Sequence, residues 1–356
     1  MRSVLLCLIL LVPTLGSAQA PERIVAVGDV HGDFGQFTTI LRQAAVIDDG
    51  NRWIGGRTIL VQTGDVLDRG PDSRKVMELL MALESEAKRA GGRVHALIGN
   101  HEAMNVLGDL RYVSAGEYES FRSPNAVALR DRAYSRLSDS TRRDDPEYRR
   151  LWETEHPLGW VEHRLAFEGN GRYGTWIRRH DAVLKVGDYL FLHGGIGPKY
   201  ADRSAADLNR EIREALTRPG VETTIADDPD GPLWYRGLAT GVEAELAAHV
   251  DQVLNRFGVK HIVIGHTPTP GAILPRFEGR VILIDVGLSA AYGGPPAALV
   301  IENGVPFALH RGSRLALPLD GDVVPYLRAA AALDPQPSRL KQFIDRLEGV
   351  TPVPPR

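Results

Sequence analysis

Residues 95–102 read HALIGNHE, an apolar run that ends in the polar residues Asn100, His101 and Glu102. Five other runs have the same form, each followed at once by glycine with Asp or His: RIVAVGD (23–29), TILVQTGD (58–65), YLFLHGG (189–195), HIVIGHT (261–267) and VILIDVG (281–287). Short, nearly continuous apolar runs of this kind predict β-strands that are buried on both faces.

Helix-like segments separate the first three of these runs. FGQFTTILRQAA (34–45) follows Asp33, which can cap a helix, and SRKVMELLMALESEAKRAGG (73–92) ends in glycine. Asp65 follows Asp29 by 36 residues and Asn100 follows Asp65 by 35, which is the length of one β-α-β unit. Strands joined in this way are parallel, so the polar residues at their C-terminal ends converge at one edge. The pattern predicts an α/β fold.

The composition is that of an ordinary globular protein. The chain has 356 residues, of which 43% are hydrophobic, and its formal net charge is −3. That charge argues against a nucleic-acid partner, for which a basic surface is expected. The length suits one large α/β domain or two smaller ones.

The first twenty residues are predicted to be a secretory signal peptide. Arg2 precedes the apolar run from Val4 to Val12, and Ala18-Gln19-Ala20 offers cleavage after Ala20. The rival interpretation is an uncleaved anchor, but the run is short for a membrane span. Cleavage would remove Cys7, the only cysteine, and leave no thiolate ligand or cysteine nucleophile. We expect an exported protein without a membrane span in the mature chain, most simply in a bacterial periplasm.

The strand-end residues combine carboxylate, amide and imidazole groups. They are Asp29, His31, Asp65, Asp68, Asn100, His101, His193 and His266. Such a set without thiolates suits Mn, Fe or Zn. There are more ligands than one ion needs, which indicates two divalent ions that share a carboxylate and activate a water molecule. Asp29 or Asp65, taken alone, is better explained as a helix cap, and it is their combination with the histidines that favours a metal site.

The blocks that carry these residues resemble the signature of the calcineurin-like metallophosphoesterases, in the phosphoprotein phosphatase branch. They are GDVHGD (28–33), GDVLDRG (64–70), GNHE (99–102), HGG (193–195) and GHT (265–267), and the resemblance runs from Ile24 to about Gly294. LWYRG (233–237) and AYGG (291–294) are most similar to the Shewanella-like protein phosphatases. The resemblance implies a β-sandwich flanked by helices in an αββα arrangement, with a catalytic domain over 21–312.

The resemblance also implies a role for each residue. One ion would be held by Asp29, His31 and the bridging Asp65, and the second by Asp65 with Asn100, His193 and His266. His101 would give a proton to the leaving group and Asp68 would orient its ring, as a carboxylate beside a general-acid histidine can do.

Three further residues are predicted to contact the substrate, and two to have structural roles. Arg69 and Arg236 would bind the phosphoryl oxygens as bidentate donors, although a surface role is open for Arg236. Tyr292 lies where the family places a loop that borders the pocket. Asp33 is expected to cap a helix, and Glu102 to support a ligand.

Two segments fall outside the strand-and-helix pattern. The charge-rich interval 110–180 is predicted to be an inserted, mostly helical cap beside the site, and a solvated helical excursion without a role is the alternative. Residues 313–356 are predicted to form a helical, Pro-rich extension in which SRLKQFIDRLEGV (338–350) is amphipathic.

These observations favour a dinuclear phosphomonoesterase that acts on phosphoprotein, with phosphotyrosine and phosphoserine or phosphothreonine both open. The alternatives are a bis-nucleoside tetraphosphate hydrolase, or another hydrolase of small phosphoesters, and an inactive metal-binding scaffold. The predicted signal peptide counts against the tetraphosphate hydrolase, which is usually cytoplasmic. An inactive scaffold would be expected to lack a ligand or the catalytic histidine, and here every position is filled.

Overall fold

The structure is a computed structural model that describes residues 23–137, 139–220 and 224–349. The predicted signal peptide lies outside the described residues. Among the helices of the described part, none is both long and apolar enough to cross a membrane.

Eleven strands form two sheets in the described residues. They are β1 (Arg23–Val27), β2 (Ile59–Gln62), β3 (Arg93–Ala96), β4 (Val183–Val186), β5 (Tyr189–Leu192), β6 (His261–Ile264), β7 (Leu274–Arg276), β8 (Val281–Leu283), β9 (Ala297–Glu302), β10 (Val305–His310) and β11 (Ser313–Ala316). The first sheet has the order β11-β10-β9-β1-β2-β3 and the second β4-β5-β6-β8-β7. Buried apolar residues of both sheets belong to one continuous core.

Each sheet contains three adjacent parallel strands. In the first sheet they are β1, β2 and β3, and in the second they are β5, β6 and β8. The other strands pair antiparallel at the sides of these trios. The C-terminal ends of parallel strands lie at one edge of their sheet, so the geometry supplies two rows of strand-end loops.

Helices follow or connect these strands. They are α1 (Phe34–Gln43), α2 (Ser73–Arg89), α3 (Asn100–Leu107), α4 (Ala115–Phe121), α5 (Ala126–Ser135), α6 (Ser140–Arg143), α7 (Pro146–Glu155), α8 (Trp160–Phe167), α9 (Arg172–Ile177), α10 (Ala205–Ala215), α11 (Gly237–Thr240), α12 (Glu243–Phe257), α13 (Val324–Ala331) and α14 (Arg339–Leu347), with a short 3-10 helix at Pro198–Tyr200. Helices α1 and α2 are the crossovers of the first parallel trio.

The predicted α/β class is confirmed. Five of the six apolar runs contain a strand, and the sixth, HALIGNHE, begins in the last two residues of β3. The prediction missed β4, β7 and the antiparallel strands β9, β10 and β11. The last of these, β11, has side chains that alternate between half-buried and exposed, and β10 contains Pro306. Such strands lack the continuous apolar run on which the prediction depends.

Side chains cap the starts of two helices, and the cap at Asp33 was predicted. The carboxylate of Asp33 accepts a hydrogen bond of 2.9 Å from the backbone N–H of Gln36 at the start of α1. Ser338 caps α14 by accepting from the backbone N–H of Lys341 at 3.1 Å. Side chains that accept from these otherwise unpaired N–H groups stabilise a helix N-terminus.

Helices α4 to α9 fill most of the interval for which a helical insertion was predicted. They connect α3 to β4, and two of their aromatic side chains are bonded to α2. The hydroxyl of Tyr173 donates to Glu78 at 2.8 Å, and the indole N–H of Trp176 donates to Glu84 at 3.0 Å. These helices are therefore attached to the first sheet's crossover helix.

The predicted boundary at 312 falls between two paired strands, since β11 completes the first sheet beside β10. Helices α13 and α14 follow it. Asp334, between these helices, accepts a hydrogen bond of 2.8 Å from the guanidinium of Arg311. The end of the described chain is thus joined to the sheet by a largely buried ion pair.

Candidate metal centre

Polar residues at the ends of strands in both sheets meet in one place. The imidazole Nε2 of His193, after β5, lies 3.2 Å from Oδ1 of Asp65, after β2. The carboxylate of Asp29, after β1, accepts a 3.0 Å hydrogen bond from the backbone N–H of His266, after β6. The two rows of loops therefore form one site between the sheets.

The six predicted metal ligands are all part of this site. Two groups of side chains place their ligand atoms within 4.8 Å of one another, namely His31 with Asp65 and His101, and Asp65 with His193 and His266. Asn100 is adjacent, with Oδ1 at 2.9 Å from Nε2 of His193, and Asp29 Oδ2 lies 3.9 Å from Nε2 of His31. Asp65 is the carboxylate common to both groups.

Close approach at this site depends on glycine and on unusual backbone angles. A Cβ at Gly99 or Gly265 would collide with the carboxylates of Asp65 and Asp29. Asp65 itself has φ of 57° and His266 has φ of 65°, in the left-handed region that residues other than glycine rarely adopt. Strain of this kind persists only where surrounding contacts hold it, and it is concentrated at functional sites.

Three histidines each have one ring nitrogen against a backbone carbonyl oxygen. The pairs are His31 Nδ1 with Leu67 at 2.9 Å, His193 Nδ1 with Thr63 at 2.9 Å and His266 Nε2 with Trp234 at 3.2 Å. A nitrogen in this position carries the proton, because a carbonyl oxygen can only accept. The other ring nitrogen then has no proton, faces the site and can offer its lone pair to a metal ion. This is the usual arrangement of metal-binding histidines.

The charges at the site also suit a bound cation. Burial raises the pKa of Asp29 well above its usual range, and the neighbouring charges of Asp285 and Asp65 add to this. Burial lowers the pKa of His31 to about 4 and, together with His193, that of His266 to about 2, so both rings are neutral ligands. Neutral imidazoles beside crowded carboxylates form a donor set that fits borderline divalent metals.

Asp285 is a site residue that sequence reasoning missed. It follows β8, is buried, and raises the pKa of Asp29. Its own pKa is raised to about 6, mainly by burial. The run VILIDVG ends in the same way as the other five, so the strand-end pattern already contained the signal.

His101 and Asp68 form a close pair. Nδ1 of His101 lies 2.5 Å from Oδ2 of Asp68, and Asn105 donates to the other carboxylate oxygen at 2.9 Å. Burial alone would lower the pKa of His101, but the charges of Asp65 and Asp68 outweigh it and raise the pKa. Nε2 of His101 is 3.7 Å from Oδ2 of Asp65 and faces the site. This arrangement suits a general acid.

Glu102 supports the ligand loop, as predicted. One carboxylate oxygen accepts from the backbone N–H groups of Asp65 at 2.7 Å and Gly99 at 2.8 Å, and the other accepts from Val66 at 2.8 Å. The side chain thereby joins the end of β2 to the start of α3. It fixes the backbone on which Asp65 and Asn100 stand.

The predicted substrate-binding residues line the exposed edge of the site. The Arg69 guanidinium lies 4.7 Å from the ring centre of Tyr112 and 5.3 Å from that of Tyr292. Arg236 donates to the backbone oxygen of His266 at 2.8 Å, so it is close to a ligand rather than on a remote surface. Tyr112 was not predicted, because it lies in the irregular interval after α3 and no strand-end pattern marks it.

Comparison with known proteins agrees with this geometry. Residues 22–270 match the family model of the calcineurin-like phosphoesterases. An uncharacterized protein of Schizosaccharomyces pombe is 34% identical over 308 residues, which cover 83% of each chain. Shewanella-like protein phosphatase 2 of Arabidopsis thaliana is 30% identical over 304 residues, or 80% of this chain and 76% of the relative. The cold-active protein-tyrosine phosphatase of a psychrophilic Shewanella species has a TM-score of 0.63 at 28% identity, over 82% of this chain and 79% of that structure.

Proposed function

The chain belongs to the calcineurin-like phosphoesterases and is a metal-dependent phosphatase, and from this premise we propose a dinuclear phosphomonoesterase that acts on phosphorylated protein. The observation that carries the proposal is the position of Asp65, whose carboxylate belongs to both groups of ligand atoms. A carboxylate shared in this way is what two adjacent ions require.

We assign the ligands in two overlapping sets. Asp29, His31 and Asp65 would hold one ion, and Asp65, Asn100, His193 and His266 would hold the other. The donor types favour Mn, Fe or Zn. When bound, two such ions would lower the pKa of a water molecule and neutralise charge on the phosphoryl group.

The protein's own side chains supply the remaining steps. Arg69 and Arg236 bind phosphoryl oxygens, since a guanidinium offers two parallel donors. His101 gives the proton on Nε2 to the leaving oxygen as the bond from that oxygen to phosphorus breaks and the water oxygen bonds to phosphorus. Asp68 holds the ring through Nδ1 and stabilises its protonated form.

The proposed substrate class has two supports. One is the similarity to proteins named as protein phosphatases, including a protein-tyrosine phosphatase. The other is the edge of the site, where Tyr112 and Tyr292 flank the phosphate-binding Arg69. Aromatic rings in this position can pack against the side chain that carries the phosphate.

The test uses the chain prepared without chelator and loaded with Mn²⁺. We expect turnover of p-nitrophenyl phosphate that EDTA abolishes, and hydrolysis of phosphopeptides with phosphotyrosine, phosphoserine or phosphothreonine. A folded protein without metal-dependent turnover would overturn the proposal. Faster cleavage of diadenosine tetraphosphate than of every phosphopeptide would replace it with the tetraphosphate hydrolase alternative.

We also propose that the protein is exported, on the signal-like pattern of residues 1–20. Expression of the full chain in a Gram-negative host, followed by fractionation and N-terminal sequencing, tests this. A mature periplasmic product that begins at Pro21 is expected. A cytoplasmic product with an intact N-terminus would contradict it.

A further inference from the structure

The loop between β2 and α2, Asp65 to Gly70, is held in an unfavourable backbone conformation. Asp65, Asp68 and Arg69 have φ of 57°, 70° and 65°. Such a conformation persists only where surrounding contacts fix the residue. Glu102 bonds the first half of the loop, through the backbone N–H groups of Asp65 and Val66. The second half, which carries Asp68, needs its own support.

That support comes from the segment that leads into the inserted helices. The backbone N–H of Arg69 donates to the carbonyl of Tyr112 at 3.0 Å. The hydroxyl of Ser114 donates to the carbonyl of Gly70 at 2.9 Å. The insertion therefore contacts the loop on both sides of Arg69.

Glu117, on α4, makes the contact with Asp68. Its Oε2 accepts from the hydroxyl of Ser73 at 2.8 Å and from the backbone N–H of Asp68 at 3.2 Å. The side chain is fully buried, although glutamate is rarely so in the absence of a partner cation. In the described residues no Arg or Lys side chain forms an ion pair with Glu117. The basic side chain within ion-pair distance is His163, whose Nε2 lies 3.5 Å from Oε1 of Glu117.

The surroundings of Glu117 favour the uncharged acid. Burial raises its pKa well above the usual range, and the charge of Asp68 adds to this. Burial also lowers the pKa of His163 to about 3, so the imidazole is neutral. A glutamine at position 117 would reproduce the shape and the accepting oxygen of a neutral glutamic acid.

We propose that Glu117 is a positioning residue for the Asp68–His101 pair, through which the inserted helices govern proton donation to the leaving group. The inference rests on the proposed roles of Asp68 and His101. Oε2 of Glu117 fixes the backbone N–H of Asp68, Asp68 fixes Nδ1 of His101, and Nε2 then points at the leaving oxygen. The interval 110–180 thereby has a function beyond covering the site.

The test measures how strongly kcat depends on the leaving group. Dinitrophenolate is a stable anion and needs little protonation, whereas phenol has a pKa near that of tyrosine, about 10. General acid catalysis contributes about 10²–10⁴-fold. In Glu117→Ala we expect kcat for phenyl phosphate to fall about 10-fold further than kcat for 2,4-dinitrophenyl phosphate, with bound Mn²⁺ unchanged. Glu117→Gln should recover most of the loss.

Two variants keep the result interpretable. Glu119→Ala, on the exposed side of α4, should leave both rates as in the wild type. Ser73→Ala removes the second group that contacts Asp68 and should reproduce a smaller version of the effect even where Glu117→Ala does not fold.

His101→Asn separates this inference from the function on which it rests. If His101→Asn shows the leaving-group effect and neither Glu117→Ala nor Ser73→Ala does, the role of Glu117 is wrong and that of His101 stands. If His101→Asn itself lacks the effect, the proposed general acid is wrong. In the His101→Asn background, Glu117→Ala should add no further leaving-group effect, since both act through one proton transfer. Equal losses on both substrates would show that Glu117 is structural only.

Discussion

Two buried clusters of titratable side chains differ in how their histidines are bonded. At the strand ends, His31, His193 and His266 each place one ring nitrogen against a carbonyl oxygen and the other toward carboxylates or an amide. Between the inserted helices, neither ring nitrogen of the buried His163 has a hydrogen-bond partner in the described residues. The first cluster brings several ligand atoms together in one place, whereas the second has a single imidazole that no hydrogen bond orients.

The neighbours of the two clusters explain this difference. Strand ends bring backbone carbonyls and several carboxylates together, so a histidine there is oriented by hydrogen bonds. His163 instead packs against the rings of Tyr118, Phe121 and Phe167. Burial without a partner lowers the pKa of an imidazole and keeps it neutral. The same side chain is therefore a candidate metal ligand in one region and a core residue in the other.

Replacing His101, which lies beside the first cluster and faces the same site, should have the largest effect. His101→Asn removes the proposed proton donor, and general acid catalysis is worth about 10²–10⁴-fold in rate. We expect kcat for phenyl phosphate to fall by that factor while the Mn²⁺ content, measured by elemental analysis, persists. A rate equal to that of the wild type would show that the pair with Asp68 is structural, and the contrast between the clusters would then fail.

In the second cluster, replacing His163 should change how the free energy of unfolding depends on pH, and should leave catalysis unchanged. The pKa of His163 is about 3 in the folded protein against an ordinary value of 6.5, so between these pH values the unfolded chain binds more protons. Stability from this residue is full above pH 6.5 and falls by about 1.4 kcal/mol per pH unit below it, until pH 3. In His163→Phe that part of the decline should disappear. Urea unfolding at pH 7, 6, 5 and 4 measures the difference, and parallel curves for the two proteins would contradict it.

Replacing Glu102, which bonds the backbone of Asp65, Val66 and Gly99, should weaken metal binding by an intermediate amount. Glu102→Gln places an amide N–H₂ group where backbone N–H groups now donate to a carboxylate. Loss of such a supporting partner costs about 10–100-fold in metal affinity. Calorimetric titration of the metal-free protein with Mn²⁺ should show a dissociation constant raised by that factor. An unchanged constant would show that the strained loop holds Asp65 without help.

The smallest expected effect is that of replacing Asp33, a helix cap that lies outside both clusters. Asp33→Ala removes the cap of α1 and the 2.9 Å hydrogen bond from Ala290. Loss of a helix cap costs about 1 kcal/mol of unfolding free energy. Denaturant unfolding with Mn²⁺ present should show that loss. A decrease above about 2 kcal/mol would exceed a capping effect, and would indicate that Asp33 also holds the loop that carries Tyr292.

The sequence predicted the part of the site that depends on a periodic local pattern. A buried parallel strand must be apolar and must stop where the chain turns, so residues such as Asp29, Asn100 and His193 are visible as polar ends of apolar runs. Asp285 follows the same rule, since it ends the run VILIDVG, but it was not included among the predicted site residues. The edge strand β11 could not be recognised in this way, since its side chains alternate between half-buried and exposed. The interior strand β9 has the same apolar character as the six runs and was missed.

The sequence by itself determined the α/β class, the strand ends and the kinds of donor atom, because each is written in a few consecutive residues. Only the tertiary structure decided which groups meet. It placed Asp65 between two sets of ligands, Tyr112 beside Arg69, and Glu117 against the N–H of Asp68. These contacts join residues from 34 to more than 200 positions apart, as do those between His31 and Asp65 and between Asp29 and His266. No local pattern encodes such pairs, since they depend on how two sheets and an insertion pack together.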